Sequence, residues 1–224
     1  KMKQHIVKIQ SVDKVTHDVL KIVTEKPEKY AFTPGQATEV SINKNGWKDK
    51  KSPYTFTCLP EDNYLEFIIK IYPSHKSMTN ELSHLKINDE LILHEIFGAI
   101  SYKGEGLFIA GGAGFTPFIS IFRDLEAKNE IGNNKLIFAN KTKNDIILEK
   151  EFKALLGTNF INILSDEKVE GYANGQITKD FIQANSIGIN KLFYLCGPPP
   201  MMEAIEKQLA DLNVDKKSII TEKF

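Results

Sequence analysis

The sequence is poor in the residue types that build metal centres and disulfide frameworks. Its 224 residues include two cysteines, Cys58 and Cys196, and a single tryptophan. Two thiolates are too few for an iron–sulfur cluster or a four-cysteine zinc site, and the histidines show no metal-ligand spacing, so we expect no metal. Scarce cysteine is typical of a reducing compartment, and the amino terminus has no long apolar segment for secretion. We therefore expect a cytoplasmic protein.

The sequence also lacks net charge and long apolar runs. Basic and acidic residues both number 29, and the formal net charge is +0 at pH 7. A chain without a basic excess has no overall field that favours nucleic acid or an anionic membrane surface. No apolar run approaches the ~18 residues that cross a bilayer. These absences predict a protein whose partners are neither nucleic acids nor membranes.

The first part of the chain reads as an all-β domain, which we place at residues 1–103. Short strand-like runs alternate with turns rich in Gly, Pro, Asn and Asp, which is typical of a small antiparallel barrel. One helical turn is expected where Met78, Leu82 and Leu85 recur at helical spacing, with Thr79 as its N-cap. The six predicted strands are HIVKIQSV, DVLKIVTEK, ATEVSIN, PYTFTCL, YLEFIIKIY and ELILHEI.

The remainder of the chain, residues 104–224, has a different pattern, in which strand-like runs alternate with helical ones. This alternation predicts an α/β domain, in which helices cover both faces of a parallel sheet. Helices are expected at 116–128, 148–156, 178–184 and 199–212. The five predicted strands are GLFIA, KLIFAN, FINIL, KLFYLC and SIITE.

Two glycine-containing turns follow predicted strands of this second domain and precede predicted helices. In open α/β sheets such turns lie at the carboxyl edge, where glycines let the backbone approach a pyrophosphate held at a helix N-terminus. A proline suits the first helical turn, where its missing N–H costs nothing. The cofactor-binding residues expected from the two turns are Gly112, Gly114, Thr116 and Pro117 in the first, and Cys196, Gly197, Pro198 and Met201 in the second.

The motifs SPYTFT, GGAGFTP and CGPPPM resemble those of the ferredoxin–NADP⁺ reductase family, and the resemblance covers essentially the whole chain. It implies an FAD-binding antiparallel barrel followed by a Rossmann-like domain that binds NAD(P)H. It further implies a flavoenzyme in which a hydride passes from the nicotinamide to FAD, and the electrons then pass to a separate carrier protein such as ferredoxin or flavodoxin. We expect this enzyme to be a monomer.

By this resemblance, the family's flavin motif R-x-Y-[ST] corresponds to Ser52-Pro53-Tyr54-Thr55. Tyr54 would pack on the flavin, and Thr55 would form a hydrogen bond near flavin N5. Ser52 takes the place of the arginine that neutralises the FAD pyrophosphate. Lys51 would be an imperfect substitute, because a lysine is a point charge without the fork of an arginine. The further FAD contacts implied by the resemblance are Phe56, Lys70, Ile71, Tyr72, Lys76, Met78 and Thr79, with Phe224 near the flavin ring.

For the hydride transfer, the resemblance places Thr55 and Cys196 on either side of the reacting rings and Glu222 near the nicotinamide. The cofactors supply the redox chemistry, and the protein has to stack the two rings and exclude water. None of these three side chains has to act as a strong acid or base. Thr55, Cys196 and Glu222 are therefore the expected catalytic residues.

The choice between NADH and NADPH depends on the segment after the third strand of the second domain. Family members that bind NADPH often have Ser-Arg there, whereas this sequence has Ser165-Asp166-Glu167. Carboxylates at this position repel a 2′-phosphate. We therefore favour NADH, although Lys141 and Lys143 act in the opposite direction.

Two other functions stay open on the sequence alone. The weakened pyrophosphate motifs are compatible with a flavin reductase that uses free flavin as its substrate. The same fold also suits a non-catalytic module that binds flavin or nucleotide as a signal. For the carrier-protein hypothesis, the lysine-rich segment 44–51 around Trp47 offers a basic surface to an acidic ferredoxin or flavodoxin.

Overall fold

The computed structural model describes residues 4–73, 77–186 and 192–222. The chain divides into two compact units. The first unit comprises the residues up to Ser101 together with Thr116–Asp124, and the second comprises Tyr102–Phe115 and the residues from Leu125 onward. A domain boundary between residues 103 and 104 stays a prediction. Among the described helices, none combines the length and the hydropathy that crossing a bilayer requires.

The first unit contains an antiparallel six-stranded sheet in the order β4-β3-β6-β1-β2-β5. An antiparallel bridge between Phe56 and Phe67 joins the chain after β4 to β5, so that the two edge strands meet and the sheet closes into a barrel. The predicted antiparallel barrel is thereby confirmed. The strands are β1 His5–Thr16, β2 Val19–Glu25, β3 Ala37–Ile42, β4 Ser52–Thr55, β5 Tyr64–Lys70 and β6 Glu90–Phe97.

A short helix, α1 (Met78–Leu82), lies between β5 and β6. Its N-cap is Ser77, whose hydroxyl oxygen accepts a hydrogen bond from the backbone N–H of Asn80 at 3.1 Å. The prediction that Thr79 caps this helix is therefore wrong. The hydroxyl of Thr79 instead accepts a hydrogen bond from the backbone N–H of Tyr72 at 3.0 Å, so it is engaged with the loop before the helix.

The second unit contains a parallel six-stranded sheet in the order β10-β9-β8-β7-β11-β12. The five predicted strands are all present, and the additional strand β10 has only two residues, which pair with Ile163 and Leu164. The strands are β7 Gly106–Gly111, β8 Lys135–Asn140, β9 Phe160–Leu164, β10 Ala173–Asn174, β11 Leu192–Cys196 and β12 Ile219–Thr221. The helices of this part of the chain are α2 Thr116–Ala127, α3 Glu149–Leu156, α4 Lys179–Asn185 and α5 Pro199–Asp211.

The order of the second sheet reverses between β7 and β11. The chain moves from β7 outward through β8 and β9, and later resumes on the other side of β7 with β11 and β12. Such a reversal opens a crevice at the carboxyl ends of the two central strands, and ligands of open α/β sheets bind there. Because Ala110 pairs with Cys196, β7 and β11 end at the same level of the sheet.

Candidate functional site

The two glycine turns meet at this reversal, and their backbones lie too close together to admit a side chain. A Cβ atom built on Gly114 would overlap the carbonyl oxygen of Cys196 and would lie only 2.6 Å from the Cα of Gly197. Gly112 has a φ of +51°, in the left-handed region that favours glycine. The turn leads directly into helix α2, whose N-terminus suits a phosphate. This side-chain-free cradle fits the pyrophosphate of a dinucleotide.

Gly111, which was not among the predicted site residues, lies next to this cradle. A Cβ atom on Gly111 would overlap the sulfur of Met201 and would lie 3.1 Å from the Cδ of Pro198. The sequence does contain a signal for it, because Gly111 and Gly112 are consecutive. A strand that ends in two glycines indicates that other atoms approach the backbone closely at both positions. Met201 and Pro198 thus lie where the second turn was expected to place them.

Cys196 and Glu222 come together at the carboxyl edge of the second sheet. Leu195 pairs with Thr221 in β12, so the residue that follows each of them lies at the same level. Cys196 is 2% exposed, and burial, together with the nearby Glu222 carboxylate, raises the pKa of its thiol to about 12. A thiol with this pKa stays protonated at neutral pH. Cys196 can therefore present a neutral, polarisable group, and it does not act as a thiolate nucleophile.

The Ser165–Glu167 segment lies beside the end of β8, as a nucleotide-specificity loop requires. The backbone N–H of Ser165 donates to Asn140 at 3.0 Å, and that of Asp166 donates to Lys141 at 2.9 Å. The Ser165 hydroxyl donates to the Asp166 carboxylate at 2.6 Å, and both residues are exposed. The segment therefore presents a carboxylate to solvent at the edge of the sheet.

Lys143, which the sequence left as a possible phosphate ligand, is engaged elsewhere in this structure. Its Nζ lies 5.5 Å from the centre of the Tyr172 ring, a cation–π contact. Its backbone N–H donates to the Glu167 carboxylate at 2.8 Å, so that carboxylate lies next to it. The positive charge of Lys143 is therefore accompanied by the carboxylate of Glu167, which belongs to the same segment as Asp166.

In the first unit, Tyr54 and Thr55 lie on β4, which pairs with β3 through Thr38 opposite Tyr54. Burial raises the pKa of Tyr54 to about 12, and the Ser52 hydroxyl beside it offsets part of that effect. Even so, the phenol oxygen of Tyr54 makes no hydrogen bond of ordinary geometry within the described residues. Leaving a buried hydroxyl without a partner is costly. The phenol therefore fits a site where a polar atom of a bound cofactor completes the hydrogen bonding.

Lys51, the predicted substitute for the missing arginine, is already paired with a carboxylate in this structure. Lys51 and Pro53 lie on one face of the strand, whereas Ser52 and Tyr54 lie on the other, because side chains alternate along a strand. The Lys51 ammonium forms an ion pair with Glu39 at 3.2 Å, and Glu39 is the residue paired with Pro53. The cation is thus held on the face opposite Tyr54.

Two further residues expected to bind FAD are core residues of the barrel. Phe56 is completely buried and stacks on Phe32 with ring centres 4.3 Å apart. Met78 is also buried in this core. Their side chains contribute to the stability of the barrel, and contact of these two residues with the FAD stays a prediction.

Of the remaining residues expected around the FAD, Tyr72 and Thr79 lie at the start of α1, whereas Lys70 and Ile71 lie beside Asp18. The Tyr72 side chain is 53% exposed, and the Tyr72 backbone is tied to the helix by Ser77 and Thr79, whose hydroxyls lie 2.9 Å from its carbonyl and 3.0 Å from its N–H. Ile71 is partly buried, and the Lys70 ammonium pairs with Asp18 at 3.2 Å. Lys76 and Phe224 lie outside the described residues.

The lysine-rich segment 44–51 is less basic than its sequence indicates. Lys44 forms an ion pair with Glu81 at 2.6 Å, and Lys51 pairs with Glu39. Lys50 lies over the Trp47 ring at 4.1 Å. Two of the four lysines are therefore neutralised locally, which weakens the argument for long-range attraction of an acidic carrier protein.

Two models of known protein families match successive parts of the chain. A model of an FAD-binding domain matches residues 4–111, and a model of an oxidoreductase NAD-binding domain matches residues 108–207. The two matches together span most of the sequence. The protein therefore binds FAD and a nicotinamide dinucleotide.

Individual relatives are flavoprotein reductases. NADH-cytochrome b5 reductase 2 of Rattus norvegicus is 30% identical over 200 residues, which cover 72% of each chain. The reductase component of propane 2-monooxygenase from Mycolicibacterium smegmatis is 28% identical over 96% of this chain. The CS-b5R domains of human Ncb5or, in an NAD⁺ form, superpose with a TM-score of 0.83 at 27% identity, covering 100% of this chain and 70% of that one. The chain spans 62% to 66% of the length of several other curated relatives, including the propane 2-monooxygenase component.

Proposed function

Because the chain belongs to the ferredoxin–NADP⁺ reductase family of flavoproteins, we propose that it is an NAD(P)H-dependent flavoprotein reductase that delivers electrons to a separate carrier protein. In this proposal residues 1–103 hold the FAD, and residues 104–224 hold the nicotinamide dinucleotide. The observation that carries the proposal is the close approach of Gly114 to the backbone of Cys196 and Gly197, where a Cβ atom does not fit, beside Gly112 in its left-handed conformation.

The side chains of this site have positioning roles in the proposed reaction. Bound FAD would supply the acceptor for the hydride of the nicotinamide. Cys196 would offer a neutral thiol beside the nicotinamide, and Glu222 would hold a carboxylate at the same level of the sheet. Thr55 would donate its hydrogen bond from β4. A site built this way binds and orients, and it needs no group that gains or loses a proton near neutral pH.

The proposal is tested by the spectrum of the purified protein. We expect a yellow protein that releases FAD on acid treatment, and we expect NADH to bleach its flavin absorbance under anaerobic conditions. Retained FAD that NADH does not bleach would contradict an enzymatic role and would favour a nucleotide-sensing module. Release of FMN alone would contradict the assignment of FAD.

One observation favours a second candidate function, a reductase of free flavin. Ser52 replaces the arginine of the family motif, and Lys51 is paired with Glu39 on the opposite face of the strand. These features weaken the binding of the FAD pyrophosphate on β4. A colourless protein that uses NADH to reduce added riboflavin rapidly would support this candidate over the first.

We further propose that NADH is the preferred donor, because Asp166 is exposed at the position where a 2′-phosphate would lie. The change Asp166→Arg is expected to shift the ratio of kcat/KM for NADPH to that for NADH about fivefold towards NADPH. This corresponds to ~1 kcal/mol, the lower range for a charge-assisted hydrogen bond at an exposed site. Asp180→Arg, an equal change of charge at an exposed position of α4, is the matched control and should leave the ratio unchanged. A wild-type protein that strongly prefers NADPH would contradict this proposal.

The electron acceptor is proposed to be a separate protein such as a ferredoxin or a flavodoxin. The name of the mycobacterial relative, a reductase component of a monooxygenase, supports an acceptor on another polypeptide. Purified ferredoxin and flavodoxin, each tested with NADH and this protein, would identify the class. Reduction of neither, in a protein whose flavin NADH does reduce, would exclude both carriers.

A further inference from the structure

A buried polar network joins α2 to the barrel strands within the first unit. The Nη1 of Arg123 donates to the backbone carbonyl of Thr57 at 2.8 Å and to the carboxylate of Glu66 at 2.7 Å. The hydroxyl of Ser120, one turn earlier in the helix, donates to the backbone carbonyl of Cys58 at 2.9 Å. Thr57 in turn donates its hydroxyl to Glu66 at 2.7 Å. The network thus connects helix α2 to the backbone of Thr57 and Cys58, which follow strand β4.

The burial of this network is unusual for charged groups. The side chains of Arg123 and Glu66 are 21% and 9% exposed, and Ser120 and Thr57 are fully buried. A buried carboxylate requires a fixed counter-charge, and breaking such a pair leaves an uncompensated charge. Arg123 is also the only arginine among the 29 basic residues of the chain. The single arginine of the chain therefore lies where a permanently charged, rigid guanidinium meets a buried carboxylate.

The positions of the two partners along the chain suggest what the network does. Arg123 lies seven residues after Thr116, which is about 10 Å along a helix. Thr116 and Pro117 are the first residues of α2 and directly follow the glycine turn Gly112–Phe115. On the barrel side, Thr57 and Cys58 follow Thr55 within three residues. The network therefore links helix α2, which begins at Thr116, to the segment that follows Thr55.

We propose that Arg123 is a positioning residue for hydride transfer, which acts through α2 by fixing Thr116 relative to Thr55. This proposal rests on the proposed reductase function. The guanidinium sets the direction of the helix because it binds a backbone carbonyl and a carboxylate at once. Glu66 is its partner in this role. Displacements on the order of 1 Å of reacting groups reduce rates steeply.

The test compares Arg123→Lys with the wild type in the protein as purified. Lysine keeps the charge but not the planar donor group. We expect the limiting rate of flavin reduction by NADH to fall about 10-fold, with the dissociation constant of NADH changed by less than about 2-fold. We also expect the backbone amides within residues 116–122, where Pro117 has none, to exchange with deuterium about 10-fold faster, while strands β7 and β8 keep their protection. Glu126→Ala, at an exposed position of the same helix, is the matched control and should change neither quantity.

A second pair of variants separates positioning from loss of folding. Glu66→Gln should slow flavin reduction in the same way, and combining it with Arg123→Lys should add little, because both changes disrupt one interaction. Fully additive effects would overturn the proposal. An unchanged limiting rate and unchanged exchange in Arg123→Lys would also overturn it, as would faster exchange throughout the chain, which indicates general destabilisation.

Failure of the proposed function would look different. If NADH does not reduce the flavin of the wild type, the reductase assignment fails, whereas the exchange measurement still decides the role of Arg123 in fixing α2. Faster exchange confined to residues 116–122 in Arg123→Lys then supports that role, and unchanged exchange overturns it.

Discussion

Replacing Gly114 by alanine is expected to lower kcat/KM for NADH at least 100-fold. The new Cβ would overlap the carbonyl of Cys196 and crowd the Cα of Gly197, both of which are backbone atoms that cannot rotate away. The two glycine turns would have to separate, and the cradle that we assign to the pyrophosphate would be deformed. A loss of this size corresponds to ~3 kcal/mol of lost transition-state binding. Stopped-flow measurement of flavin reduction over a range of NADH concentrations checks it.

Gly106→Ala is the matched control for this prediction. A Cβ on Gly106 would lie 2.5 Å from the carbonyl oxygen of Leu192, so it crowds the same neighbouring strand, β11, at its opposite end. We expect Gly106→Ala to lower the melting temperature but to leave kcat/KM for NADH within about threefold of the wild type at a temperature where both are folded. Equal loss of activity in the two variants would mean that the defect of Gly114→Ala comes from the sheet as a whole.

The stability of the protein is expected to fall at alkaline pH because of its buried thiols. Burial, reinforced by the charges of Glu66 and Asp62, raises the pKa of the Cys58 thiol from 9.0 to about 12. The folded state therefore keeps this proton between about pH 9 and 12, whereas the unfolded chain releases it, so the free energy of unfolding decreases as the pH rises through this window. At pH 10.5, about 1.5 pH units above the unfolded pKa, the loss should reach ~2 kcal/mol for one such thiol.

The change Cys58→Ser isolates this contribution. A serine hydroxyl does not titrate in this window and can still accept the hydrogen bond that the backbone N–H of Glu66 donates to the sulfur at 3.3 Å. Urea unfolding at pH 7.5 and pH 10.5 should show a decrease that is ~2 kcal/mol smaller in the variant than in the wild type. Parallel decreases in the two proteins would mean that the Cys58 thiol ionises equally well in both states.

The sequence was sufficient for those features that local pattern determines. Alternating or continuous apolar runs bounded by turn residues predicted the strands of both units, and glycines after strands predicted the turns at the reversal of the second sheet. The strand β10 was not predicted because it consists of only two residues, Ala173 and Asn174. Two residues are too few to show the alternation of apolar and polar side chains that identifies a strand. The N-cap of α1 was assigned to Thr79 because Ser77 and Thr79 carry equivalent hydroxyls, and only the position of Tyr72 decides between them.

Side-chain partners far apart in the sequence were beyond prediction from one chain. Lys51 was expected to face a cofactor, but Glu39, twelve residues earlier, holds it on the other face of the strand. Likewise, nothing near Arg123 indicated Glu66 as its partner, because the two are 57 residues apart. Such pairs depend on the register of the strands and the placement of helices, which are set by the packing of the whole fold.

The membership of Thr116–Asp124 in the first unit has a consequence for synthesis on the ribosome. The last barrel strand, β6, ends at Phe97, but the chain must extend through β7 before Ser120 and Arg123 emerge. At typical elongation rates this interval lasts roughly one to five seconds. During it, the carbonyl groups of Thr57 and Cys58 face water, and the Glu66 carboxylate lacks its arginine. The nascent barrel therefore reaches its native state only after part of the following unit has been translated.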